Sequence, residues 1–120
     1  MTKILIVDDD AQATTQLYKI LSTEGYDAIA INDSSKVVQF ARSISPDLFL
    51  LDLIMPEPDG FNLCRQLRAE PSFAQTPIII ITSLDDSDSR LVAFGAGAND
   101  YLTKPYNINE LAKRVKALIY

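Results

Sequence analysis

Three stretches of this chain are apolar at every position: Ile4-Leu5-Ile6-Val7, Leu48-Phe49-Leu50-Leu51 and Ile78-Ile79-Ile80-Ile81. Such runs between polar ends are the pattern of strands buried on both faces, as in parallel sheets. The segments between them switch to helical spacing. Ala13, Leu17, Ile20 and Leu21 mark a first helix, closed by Gly25. Tyr26 to Ile31 reads as a more mixed strand. Asn32-Asp33-Ser34 starts a second helix, with Val37, Ala41 and Ile44 on one face. The third strand spans Asp47 to Asp52, after which Pro56, Pro58 and Asp59-Gly60 force a turn. Asp59-Gly60 opens a helix carrying Leu63, Cys64 and Leu67, which Pro71 and the polar stretch to Thr76 break. Ile78 to Ile81 is a fourth strand ending at Thr82-Ser83. A weaker helix follows over about Ser87 to Ala96, stopped by Gly95 and Gly97. Asp100 to Thr103 is a short mixed strand ending at Lys104-Pro105. The last helix begins at Asn107, with Glu110 three residues on as a capping box, and buries Leu111, Val115 and Leu118.

This alternation is a (βα)5 unit of the α/β class, without repeats, linkers or low-complexity segments. Strands 1, 3 and 4 are nearly all aliphatic and belong in the middle, covered by helices on both faces. Strands 2 and 5 are mixed and belong at the edges. With right-handed crossovers these constraints favour a doubly wound parallel sheet of order 2-1-3-4-5, the flavodoxin-like arrangement. Its switch point lies between strands 1 and 3, at the carboxyl edge where ligands of open α/β sheets bind. Asp8, Asp9 and Asp52 then converge in one crevice.

Composition narrows the function. A chain of 120 residues, 48% hydrophobic and 22% charged, makes one ordinary globular domain over 1–120. Whether it is complete or the N-terminal part of a longer regulator stays open. No apolar run approaches the ~20 residues of a membrane helix, and the N-terminus lacks a signal-peptide pattern. A single cysteine, Cys64, excludes an internal disulfide, so a cytoplasmic setting fits. There is no histidine, which removes the commonest general base and metal ligand. A net charge of −5 without basic clustering argues against direct nucleic-acid binding.

Carboxylates at adjacent strand ends repel one another: two unit charges ~4 Å apart at an effective dielectric of ~20 interact by ~4 kcal/mol. The cluster needs protonation or a cation. An all-oxygen set suits a hard divalent ion, and Mg²⁺ is the common choice in phosphoryl chemistry. The alternative is that Asp8-Asp9-Asp10 only caps the following helix, although one residue would suffice for that. Thr82 and Lys104 end the next two strands on the same edge. A lysine there suits a phosphoryl oxygen as a compact point charge, and a threonine offers one hydroxyl hydrogen bond.

The residues Val7-Asp8-Asp9, Leu51-Asp52 followed by Met55-Pro56 and Asp59-Gly60, Ile81-Thr82-Ser83, Gly97-Ala98 and Lys104-Pro105 resemble response-regulator receiver domains of bacterial two-component systems. The likeness spans essentially the whole chain. It implies that Asp52 is the phosphoacceptor, taking a phosphoryl group from a histidine kinase or histidine phosphotransfer protein. It implies that Asp9, Asp52 and the backbone carbonyl of Ile54 ligate Mg²⁺, with Asp8 acting directly or through water. Thr82 and Lys104 would hold the phosphoryl oxygens, and Lys104-Pro105 is typically a cis bond in the family. Tyr101 matches the family's aromatic switch, which rotates inward as Thr82 moves and repacks the face of helix 4, strand 5 and helix 5. On that face Arg90, Asp100, Glu110 and Arg114 match positions through which receivers of winged-helix transcription regulators pair as symmetric homodimers. Asn99 departs from the acidic residue common there. The resemblance implies a switch that catalyses only its own phosphorylation and slow dephosphorylation. Ile54 and Leu84, two residues beyond Asp52 and Thr82, offer no polar partner to an attacking water.

Three other readings share parts of the pattern. A Mg²⁺-dependent aspartyl phosphohydrolase usually needs a second aspartate two residues after the nucleophile, where this chain has Ile54. An FMN-binding flavodoxin would need hydroxyls and glycines after strand 1, where Asp8-Asp9-Asp10 would repel phosphate. A phosphorylation-independent interaction module would not need the complete set of site residues. Cys64, among apolar helix neighbours, reads as core.

Overall fold

The all-apolar runs become the central strands of one parallel sheet in a computed structural model that describes residues 1–119. Its strands are β1 (Lys3–Val7), β2 (Asp27–Ile31), β3 (Leu48–Leu51), β4 (Ile78–Thr82) and β5 (Asp100–Thr103). The helices are α1 (Ala11–Thr23), α2 (Val37–Ile44), α3 (Gly60–Ala69), α4 (Ser87–Gly95) and α5 (Ile108–Ile119). The strand order is β2-β1-β3-β4-β5, as the composition of the strands requires. Every residue of β3 and β4 is buried, whereas β2 and β5 keep partly exposed positions.

Alternate residues of each strand feed opposite faces. Leu5, Val7, Phe49, Leu51, Ile78 and Ile80 pack under α2, α3 and α4, with Cys64 fully buried among them. Ile4, Ile6, Leu48, Leu50, Ile79 and Ile81 pack under α1 and α5. Two apolar layers thus clamp the sheet and fix its register. Val7 lies opposite Leu51, Leu51 opposite Ile80, and Thr82 opposite Thr103. The residues that follow each strand therefore emerge side by side.

Helix entry is set by aspartate caps whose side chains accept amide hydrogen bonds: Asp10 from Gln12, Asp59 from Asn62 and Asp86 from Ser89. At α5 the expected capping box forms only halfway. Asn107 accepts from the Asn109 and Glu110 amides, but the Glu110 carboxylate turns to Arg114 instead of back to Asn107. Other boundaries shift for local reasons. Tyr26 donates its amide back to Leu21, so β2 starts one residue later. Asp47 exchanges backbone and side-chain hydrogen bonds with Lys3 below the start of β3. The segment after β2 begins with a 3₁₀ turn, Ser34–Lys36, capped by Asp33, before α2. Gly95 stays inside α4, and Gly97, at φ +115°, makes the turn that ends it.

Candidate functional site

At the carboxyl edge, Asp8 follows β1 and Asp52 follows β3, the Asp52 amide donating to the Val7 carbonyl at 3.0 Å. Both acids are buried, Asp8 3% exposed and Asp52 8%. Lys104, after β5, spans them: its Nζ lies 2.8 Å from Asp8 Oδ2 and 3.0 Å from Asp52 Oδ2. The remaining oxygens take backbone amides, Asp8 Oδ1 from Asp10 at 3.0 Å and Asp52 Oδ1 from Ile54 at 3.1 Å. Thr82, fully buried at the end of β4, sets its hydroxyl toward Asp52. The Lys104 amide donates to the Thr82 carbonyl at 2.7 Å, and Lys104-Pro105 is cis. One ammonium thus serves two carboxylates, and the pair keeps one uncompensated negative charge.

Burial would raise the Asp52 pKa, but the Lys104 ammonium, the Ile54 amide and the Thr82 hydroxyl outweigh it and hold the carboxyl below its ordinary value. At Asp8 burial wins over Lys104 and the Asp10 amide, helped by repulsion from Asp52, and the carboxyl is raised. Burial works against the Lys104 ammonium, yet hydrogen bonds to Asp8 and Asp52 raise its pKa.

The other sequence-derived residues fall around this crevice. Asp9 is exposed on the rim, its carboxylate without a side-chain hydrogen bond or ion pair among the described residues. Ile54 is 52% exposed, its side chain pointing away from the core. Leu84 is half-buried and packs against the layer under α2, α3 and α4. Tyr101 was expected to rotate inward on activation. Its ring is already buried here, its hydroxyl donating to the Leu84 carbonyl at 2.7 Å, with the Arg90 guanidinium 4.6 Å above the ring centroid. Burial raises the Tyr101 pKa.

The four charges expected to pair between subunits are largely engaged within the chain. Arg114 binds Asp100 and Glu110, the latter at 2.7 Å, and Arg90 donates to Thr103 Oγ1 at 2.9 Å. Asn99 has become a structural acceptor, taking hydrogen bonds from Arg68 at 2.7 Å and the Ile78 amide at 2.9 Å.

Sequence reasoning missed Asn32 and Ser34, which reach the acid-bearing loops, and Arg68, which ties α3 to the loop before β5. The bonds from Asn32 to Asp8, Ser34 to Pro56 and Arg68 to Gly97 span 22 to 29 positions, and no periodicity or short motif encodes such contacts. Asn32-Asp33-Ser34 shows in sequence only as a helix start.

The oxygen donors fit a hard divalent ion. The Asp8 and Asp52 carboxylates that share Lys104 and the Ile54 carbonyl contain no soft ligand, while Asp9, expected to converge with them, stays on the exposed rim. No three acidic or thiol side chains among the described residues come together to hold an ion by themselves. Backbone oxygen would therefore be needed, and a metal would compete with Lys104 for the same carboxylates.

The family model described as "Response regulator receiver domain" matches residues 4–116, and the chain belongs to that family. It is thus a receiver domain of two-component signal transduction, the class of phosphoacceptor switches. It is 38% identical over 119 residues to the DNA-binding dual master transcriptional regulator RpaA of Synechocystis, covering 99% of this chain and 49% of RpaA. It is 37% identical over 117 residues to the alkaline phosphatase synthesis transcriptional regulatory protein PhoP of Bacillus subtilis, covering 98% and 48%. The chain spans about half the length of the curated relatives it matches. Among solved structures, a two-component response regulator from Clostridium difficile superposes with a TM-score of 0.92 at 31% identity, covering 99% of this chain and 96% of that one.

Proposed function

We propose that Asp52 accepts a phosphoryl group from a histidine of a partner kinase or phosphotransfer protein, and that the domain relays this event by repacking the face of α4, β5 and α5. The observation that carries the reading is the state of Asp52. It is a buried carboxylate kept ionised, with a lysine ammonium and a threonine hydroxyl supplied by the next two strands. An Asp52 oxygen attacks phosphorus as the phosphorus–nitrogen bond breaks, and the electron pair stays on the leaving imidazole. Lys104 leaves its carboxylates for the incoming phosphoryl oxygens, and Thr82 donates its hydroxyl to another. Asp9, Asp52 and the Ile54 carbonyl, with Asp8 alongside, would hold Mg²⁺, which would supply charge neutralisation on the transferring group.

The product adds about −1.5 to −2 charge. Thr82 is drawn toward it, the Leu84 segment follows, and the hydrogen bond from Tyr101 couples that movement to the buried ring. Phosphorylation then biases Tyr101 toward the buried position it holds here. The chain is a switch and not a turnover enzyme, because Ile54 occupies the place of a phosphohydrolase's acid. Self-dephosphorylation is slow, and a phosphoryl lifetime of seconds would overturn that expectation. By similarity to DNA-binding regulators of twice its length, the domain governs a transcriptional output in the cytoplasm. No helix among the described residues is long and apolar enough to cross a membrane.

The deciding experiment is intact mass after incubation with acetyl phosphate and Mg²⁺. One phosphoryl adduct is expected, absent without Mg²⁺ and absent in Asp52→Asn. No adduct would favour the interaction-module reading, and steady release of inorganic phosphate the phosphohydrolase.

A further inference from the structure

The edge strand β2 contributes no carboxylate to the crevice, yet the loop that follows it touches both loops that do. Asn32 Nδ2 donates to the Asp8 carbonyl at 2.8 Å and to Thr14 Oγ1 at 3.0 Å. Thr14 is buried in the first turns of α1 and passes its own hydroxyl to the Ala11 carbonyl at 3.1 Å. Two residues further on, Ser34 is 5% exposed and donates its hydroxyl to the Pro56 carbonyl at 3.0 Å. One short segment thus fastens the backbone under Asp8 and Asp9 and the backbone just beyond Asp52 and Ile54. The aspartate between them is already committed as a cap, its carboxylate accepting from the Ser35 amide and hydroxyl.

We propose that Asn32 and Ser34 form a two-point brace, positioning residues that hold the β1–α1 and β3–α3 loops at the separation a divalent cation requires. The inference deepens the phosphoacceptor reading and rests on it. Among the described residues the Asp9 carboxylate has no hydrogen-bond or ion-pair partner, so its placement depends on its backbone. The Ile54 carbonyl belongs to the loop between Asp52 and Asp59, where Leu53 and Met55 are anchored in the core but Ile54 itself is half exposed. Mg²⁺ demands near-ideal octahedral geometry, so small drifts of either loop cost affinity more than they cost folding. Outer partners that orient metal ligands commonly carry 10- to 100-fold of affinity.

The test is isothermal titration of the unphosphorylated protein with Mg²⁺, beside backbone amide exchange of the metal-free protein. Asn32→Leu, near in shape but without a donor, and Ser34→Ala each lower Mg²⁺ affinity by about tenfold. Exchange quickens at Asp9 and Asp10 in the first variant and at Ile54 and Met55 in the second. Ser34→Thr, which keeps the hydroxyl, retains affinity. Leu118→Ala, a remote truncation of a side chain that α5 leaves only partly buried instead of fully buried, leaves affinity unchanged. Unaltered affinity in both brace variants, or an equal loss in the Leu118 control, overturns the brace while leaving the phosphoacceptor reading intact. A wild-type protein that neither binds Mg²⁺ nor takes up phosphoryl overturns both.

Discussion

Lys104 is the residue on which the site turns, because it pairs with two buried acids at once. Replacing it by methionine leaves Asp8 and Asp52 facing each other without a cation. Removing one partner of a well-buried pair costs about 3–5 kcal/mol, and with the ammonium a quarter exposed we expect about 2 kcal/mol near neutral pH. The pH dependence has a definite sign. In the wild-type protein the lysine pKa is raised, so its stabilisation is full below the ordinary value of 10.5 and is lost as pH climbs through the raised one. In Lys104→Met both carboxyl pKa values rise above those of the unfolded chain, so the folded variant regains stability as pH falls through them. Denaturant midpoints measured from pH 8 down to pH 4 should converge on wild type, and Mg²⁺ should narrow the gap at pH 7. A deficit independent of both would refute this account of the site.

At the level of elements, the sheet order and the site-bearing strand ends were legible because both follow from burial. Strands apolar at every position must be covered on both faces, and a carboxylate that ends such a run must emerge at its edge. Asp52, Thr82 and Lys104 were readable for this reason. Contacts made by a side chain to a distant backbone carbonyl left no trace in the pattern. Arg68 is the clearest case. From α3 it donates to the Gly97 carbonyl at 3.0 Å, the Phe73 and Thr76 carbonyls at 2.8 and 2.6 Å, and Asn99, without a carboxylate partner. This strut anchors the C-terminal end of α4 to α3, while Tyr101 and Leu84 connect to its N-terminal end. If α4 repacks as proposed, it would pivot about this fastened end. Arg68→Met should lower stability by about 2 kcal/mol, the scale of hydrogen bonds to a charged group, without changing the rate of phosphoryl uptake. A loss of uptake equal to that of Lys104→Met would show that the strut belongs to the chemistry.

For the whole molecule, association is the property the internal ion pairs reshape. Arg114, Asp100 and Glu110 already satisfy one another, so a symmetric dimer would exchange intramolecular pairs for intermolecular ones. Exposed pairs contribute only about 0.2–1 kcal/mol each, and the exchange nets less. The remaining driving force is apolar, from Leu91 at 73% exposure, Phe94 at 45% and Ile108 at 52%. Phe94 borders Tyr101, its ring centroid 6.3 Å away. Association of the phosphorylated protein through this face should therefore be abolished by Phe94→Asp and little altered by raising salt. Sedimentation at several ionic strengths checks this, and a dimer that dissolves in salt would return the credit to the charges. The interior offers a different handle. Cys64 is the only thiol in the chain, fully buried against the Ala96 carbonyl, and burial pushes its pKa up. The folded protein is thus a silent background for thiol chemistry. A single cysteine placed anywhere on its surface can carry a dye or spin label without interference, while slow unmasking of Cys64 by a thiol reagent times the opening of the core itself.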